Sequence, residues 1–234
     1  MKDLFGTAIL DFQTNNNPEN IRTETNISEA DNMELSYLFR SFKTMPPIEQ
    51  KALQLCTGTV LDVGCGAGSH SLHLQNELNL EVLSIDISEN AIKTCALRGL
   101  KNTQQINILN LKNQQFDTIL LLMNGTGIFE NLKKTPLYLS KLKSLLKPNG
   151  QILLDSSDLI YMYDPEDLQQ NYLYDGNYYG ELLFTISYKN QTETPFSWLY
   201  MDFETLQNEC EKVNLKCNLI HQGVHYDYLA QLKL

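Results

Sequence analysis

At 234 residues and 42% hydrophobic content, the chain is long enough to bury one substantial core and too apolar to be disordered by default. Its 18 Lys+Arg against 28 Asp+Glu give a formal charge of −10, which repels a phosphate backbone or an anionic membrane over most of the surface and disfavours a nucleic-acid partner. No stretch reaches the roughly 18 apolar residues of a membrane span, and Cys56, Cys65, Cys95, Cys210 and Cys217 form no CxxC pair, so reduced, packed thiols in a cytoplasmic protein are expected.

Residues 1–30 are polar and Asn-rich around QTNNNPEN, with one apolar patch, LFGTAIL, and read as an arm with a weak element. Ser28 is placed as the N-cap of a helix through Met33, Tyr37, Leu38 and Phe42; Pro46 and Pro47 break it and start a second helix to about Leu55. Residues 1–57 are thus expected to be an arm and a helical lid.

From residue 58 short Val/Ile/Leu runs alternate with helical patterns. In order come strand TVLDV, helix GSHSLHLQNEL, strand EVLSI, helix SENAIKTCALRG, strands QQINI and FDTILLLM, helix LYLSKLKSLL, a turn at KPNG and strand GQILLDS. Strands apolar on both faces and joined by helices predict βαβ units, hence a doubly wound α/β core over residues 58–157.

Residues 158–201 change the rhythm. Tyr161, Tyr163, Tyr172, Tyr174, Tyr178, Tyr179 and Trp198 crowd this stretch, and the strand-like runs GELLFTISYKN and FSWLYMD predict a small β insertion roofing a substrate pocket. Asp202 then suits the N-cap of a helix, DFETLQNECEKVN, and LKCNLIHQG and YDYLAQLKL predict an antiparallel pair that closes the core over residues 202–234.

The loop after the first strand of a parallel sheet lies where ligands bind, at the carboxyl ends of the strands. Here it reads Gly64, Cys65, Gly66, Ala67, Gly68. Glycine permits positive φ and close approach, and amides opening the next helix can meet an anion. A dinucleotide fingerprint would carry its third glycine where Ser69 stands, and Asp62 before the loop suits the loop amides or an ammonium group but not a pyrophosphate. The spacing favours a zwitterionic ligand over NAD. Asp86 ends the second strand 22 residues after Gly64, close to the ~20-residue offset at which a carboxylate takes ribose hydroxyls.

Taken in order, VLDVGCGAG, SIDIS, FDTILLLMNG and LLKPNGQILLDSSD resemble the motif series of class I S-adenosylmethionine-dependent methyltransferases over about residues 58–158, with the closing helix and strands. The resemblance implies a seven-stranded, mostly parallel sheet, S-adenosyl-L-methionine as cofactor and S-adenosyl-L-homocysteine as product. It implies that Gly64, Cys65, Gly66 and Gly68 lie against the methionine portion with Asp62 near its ammonium group. By the same resemblance Asp86 accepts the ribose hydroxyls, Ile87 and Ile108 flank the adenine, and Asn107 stands where the family often has an acid for the adenine amino group. Asn124 and Gly125 are implied contacts of the methionine chain, although NG is also a simple turn; Arg40 is an implied partner of its carboxylate, although a solvated helix face suits it equally.

Displacement at a methyl group on positive sulfur needs positioning and exclusion of water more than proton transfer. Residues able to orient or deprotonate an acceptor are His70, Asp158, Glu181 and His225. The expected function is methyl transfer to a small molecule by a monomer or homodimer without a metal. Alternatives are a protein or, less favoured, RNA methyltransferase, a catalytically silent cofactor-binding protein, and an NAD-dependent oxidoreductase.

Overall fold

The computed structural model describes residues 2–168 and 178–234; Tyr172 and Tyr174 of the insertion lie outside them. In chain order the elements are α1 (Leu4–Thr14), β1 (Ile21–Thr25), β2 (Ser28–Met33), α2 (Leu35–Leu38), α3 (Pro47–Leu55), β3 (Thr59–Val63), α4 (Ser69–Asn76), β4 (Glu81–Asp86), α5 (Glu89–Leu97) and β5 (Thr103–Gln105). They continue with β6 (Phe116–Leu121), α6 (Thr135–Ser144), β7 (Leu146–Ser157), α7 (Pro165–Leu168), β8 (Glu181–Tyr188), β9 (Gln191–Thr192), β10 (Phe196–Leu199), α8 (Phe203–Lys212), β11 (Lys216–Gln222) and β12 (Asp227–Lys233).

Seven strands form the main sheet in the order β11-β12-β7-β6-β3-β4-β5, parallel except for β12, which runs antiparallel to both its neighbours. The chain leaves β3 toward β4 and β5, then returns on the other side of β3 with β6. That reversal opens a crevice at the carboxyl ends of β3 and β6. Alternate residues explain why these strands are apolar on both faces. Leu61, Ile119, Leu121, Ile152 and Leu154 pack with Leu139, Leu142 and Leu206 of α6 and α8; Val60, Leu120 and Leu153 pack on the opposite face with Ala52, Leu53 and Leu74 of α3 and α4.

The N-terminal region departs from the sequence reading. LFGTAIL is the body of a full helix, α1, whose Leu4, Ala8 and Ile9 are buried. Ser28 begins a strand rather than a helix: β2 pairs with β1 across the turn at Asn26 and Ile27, and β1 pairs with β8, Arg22 opposite Ser187. The hairpin and the insertion therefore make one five-stranded second sheet, β10-β8-β1-β2 with β9 on β8. Glu29, Ala30 and Met33 favour a helix locally, but β8 supplies a ladder that no local window contains. The KPNG turn is folded into the start of β7, where Asn149 has φ 65° and the β6–β7 register jumps from Phe116↔Leu146 to Thr118↔Gln151.

Asp202 caps α8 as expected, its Oδ1 accepting the Thr205 amide at 2.8 Å, while Oδ2 accepts the Tyr178 hydroxyl at 2.5 Å. Asp202→Ala is expected to cost about 1–2 kcal/mol in urea unfolding, the range of a lost N-cap; an unchanged midpoint would show that the cap contributes nothing.

Candidate active site

The crevice opens into a cavity of about 640 Å³, within the ~300–1,000 Å³ typical of small-molecule sites. The second sheet roofs it. Phe184 and Ile186 of β8 and Phe196 and Trp198 of β10 line the cavity, each pair two residues apart and so on one face of its strand. Trp198 lies on Gly127, where an added Cβ would stand 2.0 Å from the indole Cε2; only glycine lets the roof sit this close to the segment after β6.

The floor is the glycine loop. Gly64, Gly66 and Gly68 all have positive φ, at 74°, 52° and 79°. A Cβ on Gly66 would meet nothing within 4 Å, so the missing side chain adds to the open cavity. Gly68, expected against the ligand, instead faces α5 and the turn after it, where a Cβ would meet Cys95 Sγ at 2.9 Å and Leu100 Cδ1 at 2.7 Å. The Gly64 and Cys65 amides donate to Ile85 O at 2.9 and 3.0 Å, and the Gly66 amide donates to Asp86 Oδ2 at 3.0 Å.

None of these amides goes to Asp62, which accepts the Ser71 hydroxyl at 2.5 Å and stands in the cavity wall as a carboxylate whose pKa burial raises. Asp86 also lines the cavity, with Oδ1 accepting the Ser88 amide at 2.9 Å; burial raises its pKa, and each oxygen retains a second lone pair for an incoming hydroxyl. Ile87, 64% exposed, and buried Ile108 give apolar lining. Asn107 also lines the cavity; its Oδ1 accepts the Leu109 amide at 2.9 Å and retains a second lone pair. One end of the cavity carries residues the sequence reading missed: Asp3, the N-cap of α1, and Gly6 within it, with Asp3 Oδ2 accepting the Ser88 hydroxyl at 2.9 Å.

Behind the segment after β6 stands Asp155, whose carboxylate accepts the Met123 amide at 3.0 Å and the Gly125 amide at 2.9 Å. Those bonds hold Met123 and Asn124 at φ 66° and 62°, conformations uncommon for residues other than glycine. Asn124 bolts this segment down: its amide nitrogen donates to Leu199 O at 3.1 Å and its oxygen accepts the Ser156 hydroxyl at 2.8 Å, and with Gly125 it lines the cavity.

Arg40 is buried and lines the cavity. One guanidinium nitrogen donates to Tyr37 O, another to Glu49 Oε1, and Nε is sealed without a partner among the described residues. Glu49 Oε2 lies 2.7 Å from His70 Nε2, and His70 also lines the cavity. Burial pushes the Glu49 pKa up, but His70 and Arg40 outweigh it and hold the carboxyl below its ordinary value. Glu49 escaped the sequence reading because PPIEQKALQL presents it as an ordinary acid in a first helical turn.

The other three candidate acid–base residues sit outside the cavity lining. Asp158 accepts the Tyr179 hydroxyl at 2.8 Å and the Ile160 amide at 2.8 Å, Glu181 accepts the Leu132 amide at 2.9 Å, and His225 is exposed in the turn between β11 and β12. Asp158 and Glu181 tie loops together, and none of the three lines the crevice among the described residues. All five cysteines are free and buried, and no group of three potential metal ligands occurs among the described residues.

Burial raises the Asp155 pKa from 3.8 to about 7, with Glu49 adding to the rise and its two amide bonds and His70 opposing it; Tyr37 and Tyr200 also feel its charge. The folded protein then binds the proton more tightly than the unfolded chain, so this group's stabilisation is full below about pH 4 and is lost as pH rises to about 7. That displacement corresponds to about 4 kcal/mol at most. Between pH 5 and pH 8, unfolding free energy should fall more steeply for wild type than for Asp155→Asn; parallel profiles in urea unfolding would contradict it.

The cavity combines a glycine floor with an unfilled Cβ position, a buried guanidinium in its wall, the carboxylates of Asp62 and Asp86 and an apolar lining. These features fit a zwitterionic amino acid joined to a nucleoside. A methyltransferase-domain family matches residues 57–227. An S-adenosylmethionine-dependent methyltransferase from Bacteroides fragilis, solved in complex with S-adenosyl-L-homocysteine, is 43% identical, with a TM-score of 0.90 over 100% of this chain and 95% of that one. A second such enzyme, from Clostridium acetobutylicum, shares the fold at 16% identity, TM-score 0.57, over 80% of this chain and 89% of its own. A tRNA U34 carboxymethyltransferase from Pseudoalteromonas translucida is 27% identical over 107 residues, 42% of this chain and 31% of that protein, so the match spans about a third of that relative. The glycine floor, the reversal of strand order above it and these likenesses agree: the chain belongs to the methyltransferase-domain family and is a class I S-adenosylmethionine-dependent methyltransferase.

Proposed function

We propose that the enzyme methylates a small molecule held between the glycine floor and the aromatic roof. The enclosure carries this reading: the second sheet covers the crevice, and a macromolecular acceptor would have to thread beneath Phe184, Phe196 and Trp198. A tRNA would also meet a chain of charge −10 whose cavity lining, among the described residues, has Arg40 as its one Lys or Arg.

In this reading Asp86 takes the ribose hydroxyls, Asp62 the ammonium group and the Arg40 guanidinium the carboxylate, while Ile87 and Ile108 cover the adenine. Gly64, Cys65, Gly66 and Gly125 let the backbone approach the methionine chain. The bound cofactor supplies a methyl group on positively charged sulfur. The roof excludes water and aligns the acceptor, which together can provide much of the rate.

Release of S-adenosylhomocysteine should be followed with three acceptor pools: dialysable metabolites, bulk tRNA and whole protein. Turnover with the dialysable pool is expected. Turnover confined to tRNA or protein would overturn the small-molecule reading, and none with any pool would favour a catalytically silent binding protein.

A further inference from the structure

The Arg40–Glu49–His70 chain does more than fill space. Side-chain exposures of 5%, 4% and 10% mean that all three groups are held out of bulk water. Glu49 has one oxygen on the guanidinium and the other 2.7 Å from His70 Nε2. Because Glu49 is held ionised, it can only accept, so in the neutral imidazole Nε2 carries the proton and Nδ1 bears the lone pair. Nδ1 has no hydrogen-bond partner among the described residues, and it is not one of the sealed unpaired atoms there, which are Arg40 Nε and Thr94 Oγ1. His70 lines the cavity, so that lone pair is open to whatever the cavity holds.

We infer that His70 Nδ1 is the general base of the methyl transfer, oriented by Glu49, and that the acceptor is a hydroxyl, phenol or amine N–H that must shed a proton. The inference rests on the reading that cofactor and acceptor share this cavity. The acceptor heteroatom forms its new bond to the methyl carbon, the carbon–sulfur pair stays on sulfur as a neutral thioether, and the acceptor's proton passes to Nδ1. An acceptor without a proton to lose would leave this arrangement without a task. Glu49 is a positioning residue, and Arg40 fixes which way Glu49 can act.

That last point gives a signature. In Glu49→Gln the guanidinium, which can only donate, holds the amide oxygen, so the amide NH₂ faces Nε2. Nε2 must then accept, and the ring proton moves to Nδ1, the inverted tautomer. Imidazole nitrogen shifts of ¹⁵N-labelled protein saturated with S-adenosylhomocysteine read this directly. Wild type should show a protonated Nε2 and a bare Nδ1, and Glu49→Gln should show the reverse.

A wild-type Nδ1 that carries the proton, or one whose nitrogen shift reports a hydrogen bond from bound S-adenosylhomocysteine, would overturn the assignment; the second result would make His70 a ligand of the cofactor. An unchanged tautomer in a folded Glu49→Gln variant would remove Glu49 from the positioning role. Failure of the shared-cavity reading would look different, with no ligand-induced shift at the Gly66 and Ser88 amides.

Discussion

Glu49→Ala is expected to lower the unfolding free energy by about 3–5 kcal/mol, the cost of stripping one partner from a buried ion pair. In a chain of this length that is a fall in Tm of roughly 6–20 °C. The reason is asymmetry: Glu49 is buried against Arg40 and His70, and its removal leaves a guanidinium with 5% side-chain exposure on Tyr37 O and the Tyr37 ring without a countercharge in contact among the described residues. Replacing Arg40 and Glu49 together by methionine should recover a large part of the loss, because two well-packed apolar chains do not carry an unpaired charge. A Glu49→Ala loss under about 1 kcal/mol in urea unfolding would show that the pair is effectively solvated through the cavity.

The second large effect falls on affinity. Asp86→Ala should weaken S-adenosylhomocysteine binding by roughly 10²–10⁴-fold, the equivalent of two hydrogen bonds to a charged acceptor at about 1.5–3 kcal/mol each. The fold should suffer less. The variant strands the Gly66 and Ser88 amides, but it also relieves the burial of a carboxylate whose pKa that burial raises. Asp86→Asn keeps one acceptor oxygen and should fall between the two. Calorimetric titration that finds Asp86→Ala within threefold of wild type would remove Asp86 from the ligand.

What the sequence discloses, and what it withholds, follows from how local the determining interactions are. The core from β3 to β7 is written in short apolar runs and a glycine loop, each readable in a window of a few residues, and Asp86 is placed by its spacing from Gly64. The second sheet is not local. β1 meets β8 through pairs such as Arg22↔Ser187, and β2 is a polar, largely exposed strand whose composition suits a helix. The same limit applies to single residues. Glu49 and Asp155 look like a helix-start acid and a strand-end acid, and only the packing of α3 and β7 around the crevice makes them buried groups of the site.

Conversely, Asp158, Glu181 and His225 carry suitable chemistry but reach only loops or solvent, because residue type says nothing about which way a turn projects. Asn107 and Asn124 line the cavity where the resemblance points, but Leu199 and Ser156 already use the Asn124 amide.

The most direct test is thermal unfolding of the wild-type protein with S-adenosylhomocysteine and, separately, with NAD. At about 100 times its dissociation constant a ligand adds about 2.7 kcal/mol of stability, roughly 5–10 °C here. A rise of that size with S-adenosylhomocysteine and none with NAD is the predicted result; a rise with NAD alone, or no rise with S-adenosylhomocysteine, would contradict the assignment of the glycine-floored cavity to the methyl-donor cofactor.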